Sequence, residues 1–427
     1  MNFLTKVGQF LHEGSRAHAE WEIRTANTIL GDRKRLLVLG LLLLPIFIGG
    51  VVFADEIVGG LPQYIGGKTA YSPSFFTMGI FIASIFIGLC AGLITGCIGA
   101  GGGFIIAPAL MSAGIKGILA VGTDLFHIFA KAIMGSVLHK KLGNISVSLA
   151  FIFLIGSIFG ASLGGWINRV LYEINPVISD AFITTIYVIM LGALGLYSLI
   201  DFLKARKSEH GSGDFHGGKD EGTAMGNLPK KLQAIKLPPM VAFDQGIIPG
   251  GRSISSWFLI LSGFLVGLCA AIMGVGGGFL TFPIFVYILG VSSMTTVGTD
   301  IFQIIFTAGY AAIGQYAIYG FIFYTLAMGM LLGSLLGIQI GAMSTKVVKG
   351  ITIRGFYAMA VLAGFINRFF ALPSKLASIG AFPLSKETAS LLDKIGIWLF
   401  FIFISIFAVW VIGTFVMNIK KLKGKET

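Results

Sequence analysis

Apolar residues in this chain come in long unbroken blocks. They fall at roughly 36–54, 75–97, 102–114, 117–138, 146–168 and 178–202, and, beyond a polar stretch at 203–254, at roughly 255–273, 277–290, 294–318, 320–342, 351–371 and 392–417. Most approach the ~20 residues a helix needs to cross a hydrocarbon core of about 30 Å. A β-barrel would show alternating segments of about ten residues instead. The pattern predicts an all-α integral membrane protein with about 10–12 transmembrane segments. Two blocks, 102–114 and 277–290, are short, and each begins at a run of glycines.

Composition agrees. Of 427 residues, 55% are hydrophobic and 12% charged, against about 25% charged in soluble domains. The net charge of +12 does not indicate nucleic acid as a partner. The basic clusters at 33–35, 139–141, 204–207, 346–349 and 420–425 flank apolar blocks, as the positive-inside rule predicts for cytoplasmic loops. With those clusters inside and each block counted as one crossing, both termini are expected in the cytoplasm, in a multi-pass cytoplasmic-membrane protein. Block 36–54 is too long, and too far from the start, for a signal peptide, so it reads as an extra transmembrane helix. Before it, Phe3, Leu4, Val7, Phe10 and Leu11 recur at helical spacing and suggest a cytoplasmic amphipathic segment within 1–33. The Gly- and charge-rich start of 203–254 reads as a flexible cytoplasmic linker. Beyond 371, the chain is expected to add a last transmembrane helix and a basic tail, 392–427.

The chain repeats itself. "GAGGGFIIAP" at 99–108 matches "GVGGGFLTFP" at 274–283, and "VGTD" follows each, at Val121–Asp124 and Val297–Asp300. Later, "GSIFGASLGG" (156–165) faces "GMLLGSLLGI" (329–338). Counting crossings places the two units, 75–202 and 255–371, in opposite orientations. Inverted-topology five-segment repeats are a signature of secondary transporters, whose sites lie at the repeat interface.

Three consecutive glycines break a helix and let a ligand or a backbone approach closely. Non-helical backbone at membrane depth is tolerated only where protein or an aqueous cavity surrounds it. Each run is therefore expected to join two partial helices, with the N-termini at Gly101–Phe104 and Gly276–Phe279 turned toward an anion. Asp124 and Asp300 are carboxylates in apolar blocks, where a charge costs roughly 2.5–3.5 kcal/mol on insertion scales, so each is expected to face a cavity or a partner. His127 and Lys131 share the face of Asp124, whereas Gln303 and Thr307 stand at the same steps after Asp300. One reading has His127 and Lys131 attract an anion while Asp124 and Asp300 carry coupling protons. The other pairs Asp124 with Lys131 structurally and uses Thr123 and Thr299 as helix caps.

Cys90, Cys97 and Cys269 all lie in apolar blocks and form neither a disulfide framework nor a zinc site. There is no metalloprotease His-Glu-x-x-His, no phosphate-binding Walker loop and no serine-nucleophile motif. No enzyme activity, metal or cofactor is expected.

With these residues in view, the chain resembles the sulfite exporter TauE/SafE family, also called the toluene-sulfonate uptake permeases. The likeness rests on "GxGGGF…P" followed by "VGTD", twice, and on the "GSxxG" helices, and covers about 75–345. It implies transport of a small sulfur-containing or carboxylated anion, such as sulfite or an organosulfonate. It also implies site residues Gly101, Gly102, Gly103, Phe104, Thr123, Asp124, Gly276, Gly277, Gly278, Phe279, Thr299 and Asp300. The Thr-Asp pairs, the following Lys131 and His139 are similar to a subgroup of the family. The N-terminal extension and the 203–254 insert depart from it. Alternative functions are an anion channel on the same scaffold and a sulfur-relay protein using Cys97.

Overall fold

A computed structural model describes residues 78–98, 102–141, 145–207, 227–244, 251–345, 348 and 350–418. The expected N-terminal amphipathic segment, the helix at 36–54, residues 99–101, most of the linker's start and the basic tail after 418 lie outside the described residues.

The first unit comprises α1 (Met78–Ile98), α2 (Gly103–Ser112), α3 (Gly117–Lys141), α4 (Val147–Ile174) and α5 (Pro176–Lys207). Next come α6 (Asn227–Ala234) and a hairpin of β1 (Met240–Phe243) and β2 (Arg252–Ser255). The second unit comprises α7 (Ser256–Met273), α8 (Gly278–Pro283, continued by wider turns to Leu289), α9 (Ser293–Tyr310, likewise continued to Ala317), α10 (Tyr324–Thr345) and α11 (Gly350–Ser378). A last helix, α12, spans Lys386–Met417. Among the described residues, eight helices are long and apolar enough to cross a membrane. α2 and the α8 segment are shorter apolar helices, and α3 carries the charged stripe.

The units exchange partners. α1 packs against α10, and its counterpart α7 packs against α4; α3 meets α9, and α5 meets α11. Glycines decide the first two pairings. A Cβ built on Gly88 would lie 2.1 Å from Met330 O, and one on Gly333 2.0 Å from Ile85 O. In the equivalent pair, Gly156 stands 1.9 Å from Ile260 O and Gly267 2.1 Å from Ser157 O by the same measure. Helices in lipid associate by van der Waals contact at small residues that let backbones touch, which explains the repeated "GSxxG" stretches. Gly156→Leu is expected to force α4 off α7, at the ~1–3 kcal/mol typical of overpacking. Thermal unfolding of the detergent-solubilised protein should show it, while Gly413→Leu, whose Cβ would meet nothing within 4 Å, should not shift the transition.

Two groups of contacts mark the ends of the bundle. At one end, Gly117 N donates to Asp180 Oδ1 (2.8 Å), Lys375 Nζ pairs with Asp180 Oδ2 (3.3 Å), and Tyr172 meets Phe321 edge-on. At the other, the insert docks. Val241, Phe243 and Ile254 join Leu149, Phe153, Phe285 and Leu289 in one buried cluster. Gln233 Nε2 donates to Leu289 O (2.7 Å) and Arg252 Nη1 to Gly290 O (2.8 Å). Asp244 accepts from Ser292 N (2.9 Å), Ser292 Oγ (2.8 Å) and Thr295 Oγ1 (2.5 Å), closing the start of α9. Residues 227–244 and 251–255 of the insert are thus a folded element, because alternate strand residues find apolar surface beside α4 and α8; residues 208–226, in the stretch read as a linker, lie outside the described residues.

Candidate functional site

The two glycine breaks meet inside the bundle. Gly102 (φ 60°) precedes α2 and its repeat-mate Gly277 (φ 88°) precedes α8, both in the left-handed region that glycine adopts without penalty. Space is as restrictive as conformation: a Cβ on Gly102 would lie 2.6 Å from Thr95 Oγ1, and one on Gly277 2.6 Å from Val266 Cγ1. A Cβ on Gly103 would come 3.1 Å from Val275 Cα in the other unit, and the Phe104 and Phe279 ring centroids are 6.5 Å apart. From this point α2 runs to the end marked by Asp180, and α8 runs to the opposite end, where the insert holds Leu289. Two helix N-termini, with the free N–H groups and partial positive charge such ends carry, therefore start side by side and diverge. Gly101 lies outside the described residues; Gly276 has the same left-handed backbone (φ 66°).

The helix ends leading into the second break are closed by side chains. Gly274 N donates to Ala270 O (2.8 Å), Tyr316 Oη to Ala271 O (2.6 Å) and Asn168 Nδ2 to Ile272 O (3.1 Å), while Tyr187 Oη donates to Met273 O. All four terminal carbonyls of α7 are satisfied, as buried backbone requires. Sequence reasoning passed over Asn168, Tyr187 and Tyr316; their one signal was polarity inside or at the edge of an apolar block. It also passed over two buried guanidinium groups, each preceded by Ile-Asn. Arg368 donates to Pro108 O (3.2 Å), Ser112 Oγ (2.7 Å) and Asn367 Oδ1 (2.7 Å), placing a cation at the C-terminal end of α2. Arg169 donates to Gln315 O and Oε1 (both 2.7 Å) and lies over the Tyr319 ring.

The motif threonines brace one unit against the other. Thr123 Oγ1 accepts the Phe323 N–H (2.9 Å) just before α10, and Thr299 Oγ1 accepts the Ser146 N–H (3.0 Å) just before α4. Next to them, Asp300 accepts from Gln303 Nε2 (2.9 Å), and a Cβ on Gly278 would stand 3.0 Å from its Oδ2. That carboxylate lies directly over the start of α8. Asp124 is fully buried and neither of its oxygens has a hydrogen-bond partner among the described residues; His127 Nδ1 lies 3.7 Å from Oδ1, and the Lys131 charge also acts on the carboxylate. Lys131 Nζ donates to Thr95 Oγ1 (3.2 Å), the atom that crowds Gly102. The ammonium group is therefore turned to the first glycine break, and Asp124 is not its hydrogen-bond partner. Cys97 Sγ contacts Gly341 O at 3.5 Å.

Broken helices that meet between two oppositely directed repeats, with buried carboxylates beside them, are the organisation of a secondary transporter. The family model described as sulfite exporter TauE/SafE matches residues 84–368, and the chain belongs to that family of membrane transporters. It is 26% identical over 262 residues to the probable membrane transporter protein YjnA of Bacillus subtilis, spanning 61% of this chain and 89% of that protein. It is 24% identical over 281 residues to YunE of the same organism, also named a probable membrane transporter protein, spanning 64% of this chain and 91% of that one. A shorter stretch of 74 residues is 38% identical to the sulfite exporter TauE/SafE family protein 6 of Arabidopsis thaliana, 17% of each chain. No solved structure matches the chain.

Proposed function

We propose that this transporter moves a small sulfur-containing oxyanion, such as sulfite or an organosulfonate, across the cytoplasmic membrane by alternating access. The observation that carries the reading is the meeting of two helix N-termini at Gly102–Phe104 and Gly277–Phe279, with the Lys131 ammonium turned to the same place. Dehydrating an oxyanion is costly, and charge-assisted hydrogen bonds from backbone N–H groups and a cation are the interactions strong enough to replace its water. Gly101 and Gly276 complete the glycine runs. Thr123 and Thr299 keep their hydroxyl protons available to an anion, since each accepts from a backbone N–H. His127 sits one turn before Lys131 on the same face.

Alternating access follows from the exchanged helix pairs. Rocking one repeat against the other would expose the shared site first to one end and then to the other. Both termini are then cytoplasmic, and the lipid bilayer surrounds the exposed apolar faces. Export is the direction favoured by energetics, because each negative charge leaving an inside-negative cell gains about 2.3 kcal/mol per 100 mV. Movement against that potential needs a coupling ion, and Asp124 and Asp300 are the groups that can carry a proton.

Lys131→Met is expected to raise the half-saturating sulfite concentration by about 10- to 150-fold, matching the loss of roughly 1.5–3 kcal/mol for a hydrogen bond to a charged group. Initial rates of labelled sulfite entry into proteoliposomes would measure it. An unchanged half-saturation would remove Lys131 from the binding site. Flux that rises linearly with concentration in the wild type would instead indicate an anion channel.

A further inference from the structure

Three buried polar atoms on α3 stand without a hydrogen-bond partner among the described residues: both oxygens of Asp124 and Nδ1 of His127. They face each other, with Nδ1 3.7 Å from Oδ1 and both side chains fully buried. The other ring nitrogen of His127 is committed, since Nε2 lies 2.7 Å from Ser334 Oγ on α10. The Ser334 hydroxyl proton in turn goes to Met330 O at 2.6 Å. Ser334 Oγ is therefore the acceptor and His127 Nε2 carries a hydrogen.

That leaves Nδ1 as the variable position. With no proton on Nδ1 or on Asp124, a ring lone pair would face a carboxylate in a dry interior, a repulsive contact and a burial cost that the nearby Lys131 charge offsets only in part. One added proton lets the pair close from 3.7 Å to hydrogen-bond distance, as either N–H to carboxylate or O–H to ring nitrogen. A second would leave a buried imidazolium close to Lys131. The charged and titratable groups bearing on the pair are Lys131 on α3 itself and Tyr187 from α5, beside which stands Arg368 from α11. Lys131 donates to Thr95, and Tyr187 donates to Met273 O.

The second unit builds the same bridge without a titratable link. Gln303 Nε2 donates to Asp300 Oδ1 (2.9 Å), Thr307 Oγ1 donates to Gln303 Oε1 (2.7 Å), and Thr307 meets Ser157 Oγ at 2.8 Å on α4. Each aspartate is thus tied to the fourth helix of the opposite unit, by His127 and Ser334 in one case and by Gln303, Thr307 and Ser157 in the other. An amide holds its geometry at any pH, whereas an imidazole does not.

We propose that Asp124 and His127 form one proton-binding unit, holding a single proton between Oδ1 and Nδ1, and that Ser334 carries its occupancy to the second repeat. The Asp300 arm is the fixed counterpart. Release of the proton breaks the Asp124–His127 hydrogen bond and frees the ring to shift against α10. Such a change alters one of the two aspartate-based bridges between the repeats, and a difference in contacts between two states is what moves an equilibrium. The role in transport rests on the alternating-access reading above; the proton unit itself does not depend on which anion is carried.

The experiment uses the full chain reconstituted in liposomes and has two readouts. An infrared pH titration follows the carboxylic-acid C=O band without substrate. A band that titrates in the wild type should disappear in Asp124→Asn, change frequency in His127→Gln and persist in Asp300→Asn. His127→Gln installs the residue that the second unit already uses at this step, so it is the variant expected to keep the fold. The second readout is accumulation of labelled sulfite under a one-unit pH gradient at zero membrane potential. One coupled proton supports up to about tenfold accumulation, because one pH unit is one tenfold step in free energy. Both first-unit variants should fall to no accumulation. A set of titrating bands that Asp124→Asn leaves unchanged, or that Asp300→Asn removes entirely, would overturn the assignment; a second band lost only in Asp300→Asn belongs to that carboxyl. If the wild type moves no sulfite, the substrate reading fails and the infrared titration still decides the proton unit.

Discussion

Gly277→Ala is expected to abolish saturable transport and to lower the stability of the protein by roughly 2–5 kcal/mol. Two costs combine. A non-glycine residue in the left-handed region loses about 1–2 kcal/mol, and Gly277 sits there with φ 88°. The added methyl would stand 2.6 Å from Val266 Cγ1, and overpacking of this kind typically adds about 1–3 kcal/mol. Relief of both is expected to shift the start of α8 away from Val266 and so disturb its place beside α2. The two N-termini then no longer converge, so the transport defect should exceed what the loss of folded protein explains. Measuring flux per folded molecule, with the folded fraction taken from size-exclusion profiles, separates the two effects. Gly102→Ala is expected to behave alike, because its φ of 60° and its contact with Thr95 reproduce the constraint in the other unit.

Asp244→Ala is expected to release the insert from the second repeat at a cost of about 2–4 kcal/mol. Asp244 is buried and accepts from three donors, Ser292 N, Ser292 Oγ and Thr295 Oγ1. Alanine leaves those donors to find other partners, and each unmet buried group costs about 1–3 kcal/mol. It also removes a negative charge from the start of α9, where the helix dipole favours one. Limited proteolysis should then cut within 227–255 at protease concentrations that leave the wild type whole. An unchanged digestion pattern would show that the apolar contacts of Val241, Phe243 and Ile254 hold the insert without Asp244.

The parts of this protein legible in the sequence are those written in residues that lipid normally excludes. Consecutive glycines and mid-block aspartates have no reason to recur in register unless both units build the same feature, and the breaks at Gly102 and Gly277 follow directly. Partner choice was not legible. Gly88 and Gly333 read as small residues on apolar helices, but that α1 packs on α10 rather than within its own unit is decided by backbone fit in three dimensions. The polar stripe on α3 was only half legible. Its spacing placed Asp124, His127 and Lys131 on one face, yet the long lysine side chain reaches Thr95 and leaves Asp124 facing the histidine. Asn168, Tyr187 and Tyr316 were hidden because their role is to satisfy carbonyls of a helix distant in sequence. In 203–254, glycines and charges masked two four-residue strands whose alternation is too short to stand out.

In the proposed mechanism, one site at the paired glycine breaks is offered to the two sides in turn. Counterflow decides the point: proteoliposomes loaded with unlabelled sulfite are diluted into a trace of labelled sulfite with no pH gradient or membrane potential. A carrier with a single alternating site accumulates label transiently above equilibrium as the internal sulfite leaves, and Gly277→Ala should lose that overshoot. Label that only rises to equilibrium, in the wild type as in the variant, would contradict alternating access with sulfite as the substrate.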